Sequence, residues 1–248
     1  MANSVYISMS AAIAADNRLD VVANNIANVN TAGFKQTRTA FQDFLVKEGP
    51  NGITDKGFSA MALTQTDLTA GGLQQTGNPL DVAISGPGFF MVRSPDGDVL
   101  TRNGSFRISS DGTLVNADGM QVLGAGAGGG AGGPIRVDPT KGRVTIGPTG
   151  VIEQQTRGGQ AGTVLATLSI MDAETQQLTH KGGSNYSAPT TALQPVATPD
   201  LVSGFIEKSN VNAVRGMIEL IAATRDFEQA TRVMNRVQQI DKKTLDVI

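Results

Sequence analysis

Apolar residues recur at helical spacing at the two ends of this chain and at strand spacing between them. Val5, Met9, Ala12, Leu19, Val22 and Ile26 are separated by threes, fours and sevens. That stripe predicts an amphipathic helix from Asn3 or Ser4 to near Asn28. Gly33 follows as its stop, because glycine accepts the left-handed conformation that closes helices. At the other end Val214, Met217, Ile221, Thr224, Phe227, Ala230, Met234 and Val237 advance by threes and fours, close to a coiled-coil seam. Ser209, Asn210 and Asn212 offer N-caps for that helix. Its other faces mix Arg225, Arg232, Arg236, Lys242 and Lys243 with Glu219, Asp226, Glu228 and Asp241, as a solvated face does.

The middle of the chain changes period. Leu80–Ile84 alternates, and Phe89–Val92 is a short run of strand-favouring residues after the turn Gly86-Pro87-Gly88. Asp96-Gly97, Asn103-Gly104, Asp111-Gly112 and Asp118-Gly119 are dipeptides that tight hairpins prefer. Val137, Val144–Ile146 and Val151-Ile152 add short strands, and Val164–Met171 is the longest strand candidate. Pro189, Pro195 and Pro199 mark an extended return. The expected fold is α+β. An N-terminal helix (1–33) and a C-terminal helix (204–248) pair as a coiled-coil-like layer. An extended linker (34–72) leads from the first helix to a central all-β domain (73–203), an antiparallel sandwich or barrel. In the linker Phe41, Phe44 and Leu45 keep some periodicity, which Gly49-Pro-Asn-Gly52 and Gly57 interrupt.

Composition narrows the functions. The 248 residues include 30 glycines and 10 prolines, with 40% hydrophobic but only 4% aromatic residues, which suits many turns better than a compact α/β enzyme. Twenty basic and 22 acidic residues leave a net charge of −2, so no global field favours nucleic acid or anionic lipid. The chain has no cysteine, which removes disulfides, thiol nucleophiles and thiolate metal sites. No stretch reaches the ~20 apolar residues of a membrane span, so direct membrane insertion is not expected. Ala11–Ala15 lacks a basic flank and ends at Asp16, so export would need a route without a cleaved signal.

Candidate chemistry is thin. The single histidine, His180, lies in a polar stretch and reads as a surface loop residue; Ser184 has no activating partner. Gly124–Gly129 matches the spacing of a dinucleotide fingerprint, but more glycine and Pro134 follow where the motif requires a helix. The tract reads as a lengthened loop. Asp111 and Asp118 lack the spacing of a calcium loop and are explained by their turns. No cofactor, no metal and no enzyme activity are expected.

The unusual feature is an amide cluster: Asn24, Asn25, Asn28 and Asn30 close the first apolar stripe. Asparagine is costly inside a helix. Buried amides at helix interfaces fix register and reject wrong partners, and that role is expected for Asn24, Asn25 and Asn28. Asn30 reads as a terminator. Together the two striped ends predict self-association.

Leu19-Asp-Val-Val-Ala-Asn-Asn-Ile-Ala-Asn-Val-Asn-Thr-Ala-Gly-Phe-Lys35 resembles the amino-terminal signature of bacterial flagellar basal-body rod and hook proteins. Thr76–Phe90, Thr101–Phe106 with Asp111–Val115 and Val122–Gly124, and Gly204–Asn212 are similar to further blocks of that family, in its order and over nearly the full length. The length, the short stretch from Lys47 to Gly72 and Arg225-Asp-Phe-Glu228 resemble the proximal rod type more than the distal type. The resemblance implies a structural subunit of the periplasmic rod of the basal body, exported unfolded through the flagellar type III apparatus. Its partners would be copies of itself and other rod proteins, joined through helices that form the inner layer, with the β domain outward. It implies an assembly interface at Leu19, Val22, Asn24, Asn25, Ile26, Asn28, Asn30, Gly33, Phe34, Asn210, Asn212, Met217, Ile221, Phe227, Met234 and Val237. Both ends are expected to be disordered in dilute monomer and to order on assembly, since long helices take most of their stability from packing. The alternative from another class is a secreted β-domain adhesin or binding module.

Overall fold

The computed structural model describes residues 2–46, 56–126, 130–138, 140–155 and 162–245, with side chains for these except 2–8, 40–63, 238 and 241–245. The chain divides into two compact units. Unit 1 gathers Met1–Ala27, Thr37–Gln65 and Val211–Ile248. It contains helix α1 (Ala2–Ala27), strands β1 (Thr37–Val46) and β2 (Lys56–Thr66), which form a two-stranded sheet, and helix α2 (Ala213–Leu245). The two helices lie against each other, and β1 rests on α1. The 34–72 stretch, expected as an extended linker, is extended largely because β1 and β2 pair there; Gly49–Gly52 lies outside the described residues.

Helix α1 falls close to its expected span, whereas α2 starts at Ala213 and not at 204, because Phe205–Glu207 form a strand. Asn212 caps α2, its Oδ1 accepting the Arg215 N–H at 3.1 Å. The first helix ends at Ala27, and the chain then turns as Thr31 N–H donates to the Asn28 carbonyl at 3.1 Å. Gly33 therefore lies beyond the helix end and does not cap it, although its φ of +70° is left-handed as anticipated.

Unit 2 is Asn28–Gln36 with Thr66–Asn210, and it is built of β-strands apart from two single-turn 3-10 helices at Thr175–Gln177 and Thr190–Ala192. In chain order the strands are β3 (Leu73–Gln75), β4 (Val82–Ile84), β5 (Phe89–Ser94), β6 (Gly97–Thr101), β7 (Phe106–Ile108), β8 (Leu114–Asn116) and β9 (Gln121–Ala125). Next come β10 (Ala131–Pro134), β11 (Val144–Ile146), β12 (Val151–Gln154), β13 (Thr163–Thr167) and β14 (Ile170–Ala173). The last are β15 (Thr179–Gly182), β16 (Asn185–Ser187), β17 (Leu193–Pro195), β18 (Leu201–Ser203) and β19 (Phe205–Glu207). A broad antiparallel sheet runs β15-β16-β6-β5-β9-β8-β7, with β10 on β9 and β14 carrying β17 onto β5. Beside it are a three-stranded sheet, β11-β12-β13, and two lone pairs, β18-β4 and β19-β3.

The broad sheet has an apolar core on each face. Along β5, Phe90 and Val92 join one core with Val82, Phe106, Val122, Ile146, Ile152 and Leu201. Phe89 and Met91 join the other with Leu100, Leu123, Met171 and Tyr186. Covering both faces explains why β5 reads as an unbroken apolar run with no alternation.

Three local readings change. Of the four turn dipeptides, those at 96–97, 111–112 and 118–119 lie at or within hairpin connections. Asn103-Gly104 instead joins strands that do not pair with each other, and its Gly104 carbonyl accepts the Val82 N–H at 2.9 Å. Val164–Met171 is broken at Leu168-Ser169, where Leu168 donates to Gly150 and Ser169 to Leu123, so the chain changes sheet. The glycine tract is no simple loop: Ala131–Pro134 runs back along β9, with Ala131 opposite Ala125.

Candidate functional site

In unit 1 the site is the helix pair. Ile26 meets Gly216 and Arg18 meets Asp226, so α1 and α2 run antiparallel. Among the buried and half-buried positions of α2, Gly216, Leu220, Ala223, Phe227, Ala230, Met234 and Val237 are spaced four and three in alternation, with Ala213, Glu219 and Thr231 half-buried at their flanks. Facing them on α1 are Ala15, Leu19, Val22 and Ile26. A Cβ on Gly216 would lie 2.9 Å from Ile26 Cγ1, so the helices approach closely there. Arg18 and Asp226 are 3.4 Å apart and both largely exposed, a pair that adds little.

The single stripe expected on α2 resolves into two faces. Phe227, Met234 and Val237 lie on the α1 side. Val214, Met217, Ile218 and Ile221 point away and are 69%, 56%, 64% and 55% exposed. Sequence reading placed Met217 and Ile221 with Phe227 because it followed large residues; the seam near the start of α2 is made of Gly216 and Ala223.

The asparagines divide as well. Asn25 is buried and pairs with the backbone of Thr37 in both directions, donating to its carbonyl at 2.8 Å and accepting its N–H at 2.9 Å. Its amide sets the path from α1 into β1 within one subunit. Asn28, half-buried, accepts the Thr31 hydroxyl at 3.1 Å. Asn24 and Asn30 are exposed.

In unit 2 the residues after the first helix meet those before the second. Asn210 accepts the Gln36 N–H at 2.7 Å and donates to the Asp67 carbonyl at 2.9 Å and the Thr69 carbonyl at 3.1 Å. It is a staple between chain segments and lies outside the α2 cap. Phe34 is fully buried against the edge of His180, with ring centroids 5.9 Å apart, and His180 in turn packs on Tyr186 at 5.4 Å. His180 is thus a half-buried strand residue, not a loop residue, with Nε2 2.8 Å from the Gly183 carbonyl.

Beside Phe34 lies a charge cluster that sequence reading missed. Lys35 Nζ is 2.6 Å from Glu207 Oε1, and both side chains are 1% exposed. Lys35 also donates to the Thr69 carbonyl at 2.8 Å, and the Gly71 N–H donates to Glu207 at 2.8 Å. Arg102, 6% exposed, approaches Glu207 Oε2 at 3.5 Å, donates to the Gly86 carbonyl at 2.8 Å and lies 5.2 Å over the Phe89 ring. Burial pushes the Lys35 ammonium and the Arg102 guanidinium below their ordinary values, and Glu207 opposes both shifts. Burial also raises the Tyr186 phenol to about 12; its oxygen accepts the Lys35 N–H at 3.2 Å. The only hint in the sequence was charge inside apolar motifs, Phe34-Lys35 and Phe205-Ile-Glu207. Nothing local showed that residues 172 positions apart would meet.

Three sequence families match in order. The flagella basal body rod protein family covers residues 5–35, the flagellar hook protein FlgE/F/G D1 domain residues 83–154, and the flagellar basal body rod FlgEFG protein C-terminal family residues 202–247. The flagellar basal-body rod protein FlgF of Mesorhizobium japonicum is 32% identical, over 95% of this chain and 93% of its own length. FlgF of Rhizobium meliloti is 33% identical over 94% and 92%, and the rod protein FlgG of Bacillus subtilis 33% over 97% of each. The chain belongs to the flagellar basal-body rod protein family. Within this rod family it is FlgF-like, though FlgG proteins are similar to a comparable degree. The rival adhesin reading finds no support among these relatives. The buried cluster of this rod protein draws one charged residue from each matched segment: Lys35, Arg102 and Glu207.

Proposed function

We propose that this chain is a structural, non-catalytic subunit of the flagellar basal-body rod, in its proximal segment, polymerising through α1 and α2. The observation that carries the reading is the second apolar face of α2. Val214, Met217, Ile218 and Ile221 stand out to solvent although α1 already occupies the opposite seam. Burying such side chains contributes roughly 1.5–3 kcal/mol each, so four of them supply a strong contact for the helices of a neighbouring copy or a related rod protein. The α1–α2 seam would be the coiled-coil-like inner layer of the assembled shaft. Its fully buried members are small, so neighbours would supply much of the pair's stability, consistent with ends that order on assembly. Export through the flagellar type III apparatus accompanies this reading.

Replacing Met217 and Ile221 with Asp tests it. The expected result is loss of swimming and of rod assembly, with hydrogen-exchange protection of Phe89–Val92 unchanged in the purified chain. Normal swimming by the double variant refutes the proposal. Asp at Phe227 is a different lesion, because it attacks the seam inside the subunit.

A further inference from the structure

Strands β3 and β4 have a common peculiarity: among the described strands, each pairs only with a strand from the very end of unit 2. Residues 201–203 pair with β4 and residues 205–207 with β3. The same ten-residue stretch touches every early part of the unit. Leu201 enters the core with Val82 and Phe90, and its N–H donates to the Pro148 carbonyl at 2.9 Å. Gly204 N–H donates to Asp81 at 2.7 Å, Lys208 N–H to Gly72 at 2.9 Å, and the Glu207 carbonyl accepts from Gly33 at 2.8 Å. The Glu207 side chain holds Lys35 and Arg102 from opposite ends of its carboxylate. Without it two buried cations face each other with their nearest anion gone, and removing one partner of a buried ion pair is strongly destabilising.

We infer that residues 201–210 are a closing strap: the segments 33–36, 67–76 and 81–85 cannot lock into unit 2 until this last stretch is present. A chain that emerges amino terminus first therefore keeps its junction open until almost all of unit 2 has been delivered. The inference concerns folding order and stands whether or not the chain takes the export route proposed above. If it does, the strap delays locking during passage without any added factor.

Refolding of the full-length chain from urea, followed by pulsed hydrogen exchange with mass spectrometry, tests the strap. Protection in 73–76 and 81–85 is expected to rise with the same rate constant as in 201–207. Protection of 73–85 while 201–207 still exchanges freely overturns the inference. The variant Glu207→Gln adds an equilibrium arm, in which exchange of Leu73–Gln75 and Val82–Ile84 is expected to accelerate about a hundredfold or more. Unchanged protection there also overturns it. Should the variant not fold, the wild-type kinetics decide alone. Because both arms use purified monomer, they are independent of swimming and rod assembly.

Discussion

Gly33 separates two effects that glycine usually confounds. Its φ is +70°, and a Cβ there would sit 2.4 Å from both the Arg102 carbonyl carbon and the Asn103 nitrogen. The left-handed backbone costs an alanine roughly 1–2 kcal/mol. Forcing an extra methyl against backbone atoms, which unlike a side-chain tip cannot rotate away, costs about 1–3 kcal/mol more. Gly33→Ala is thus expected to destabilise unit 2 by about 2–5 kcal/mol. Asparagine tolerates the left-handed region but still carries a Cβ. If close approach dominates, Gly33→Asn retains most of the penalty; if φ alone matters, it recovers most of it. Urea unfolding followed by Tyr186 fluorescence in a Tyr6→Phe background measures unit 2 in the full chain. We expect both substitutions to lower the midpoint strongly, by similar amounts. Gly33→Asn within about 0.5 kcal/mol of wild type would falsify the close-approach argument.

Two further outcomes follow from the buried groups. Tyr186 has a folded-state pKa raised to about 12 from 10.0, so the stability tied to its neutral form is fully present below pH 10 and is lost as pH rises towards 12. The loss should approach roughly 2–3 kcal/mol, seen as a falling urea midpoint that Tyr186→Phe flattens; an equal slope in both proteins rejects it. Lys35, depressed by burial, has the opposite sign, gaining stability as pH rises towards 10.5, so the comparison is made above that value. Asn25→Ala should cost about 1–3 kcal/mol by leaving the backbone N–H and carbonyl of Thr37 without this partner, read in the assembled protein as faster hydrogen exchange in Thr37–Val46. If α1 and β1 exchange as in wild type, the amide is not what links them.

The helices were legible because 3.6-residue periodicity survives whatever packs on them. The assignment of faces on α2 was not, since hydropathy follows Met217 and Ile221 while close approach selects Gly216 and Ala223. Strand content and most hairpins were visible in the Asp-Gly turns. The pairing of β1 with β2 was obscured by a polar, glycine-interrupted stretch. Asn25 and Asn210 show a second limit: amides were recognised as unusual, but their partners are backbone groups, which leave no mark in side-chain patterns. The Lys35–Arg102–Glu207 cluster shows a third, because charge compensation across three distant segments is a property of the folded chain alone.

Strand β5 presents apolar side chains to both cores, and that removes a common safeguard. In a half-buried strand a one-residue slip exposes the greasy face and is rejected outright. Here a slip exchanges Phe89 for Phe90 and Met91 for Val92, and only at Arg93, which would take the buried place of Val92, does polarity object. Gly88 restores the discrimination. Its φ is +114°, and a Cβ there would lie 2.9 Å from Ile170 Cγ2 and 3.1 Å from Val196 Cγ2. Sliding β5 along β14 would drive either the Phe89 side chain or the Pro87 ring into that space. Alignment at the centre of unit 2 is therefore guarded by the tight space at Gly88 as well as by the contrast between oil and water.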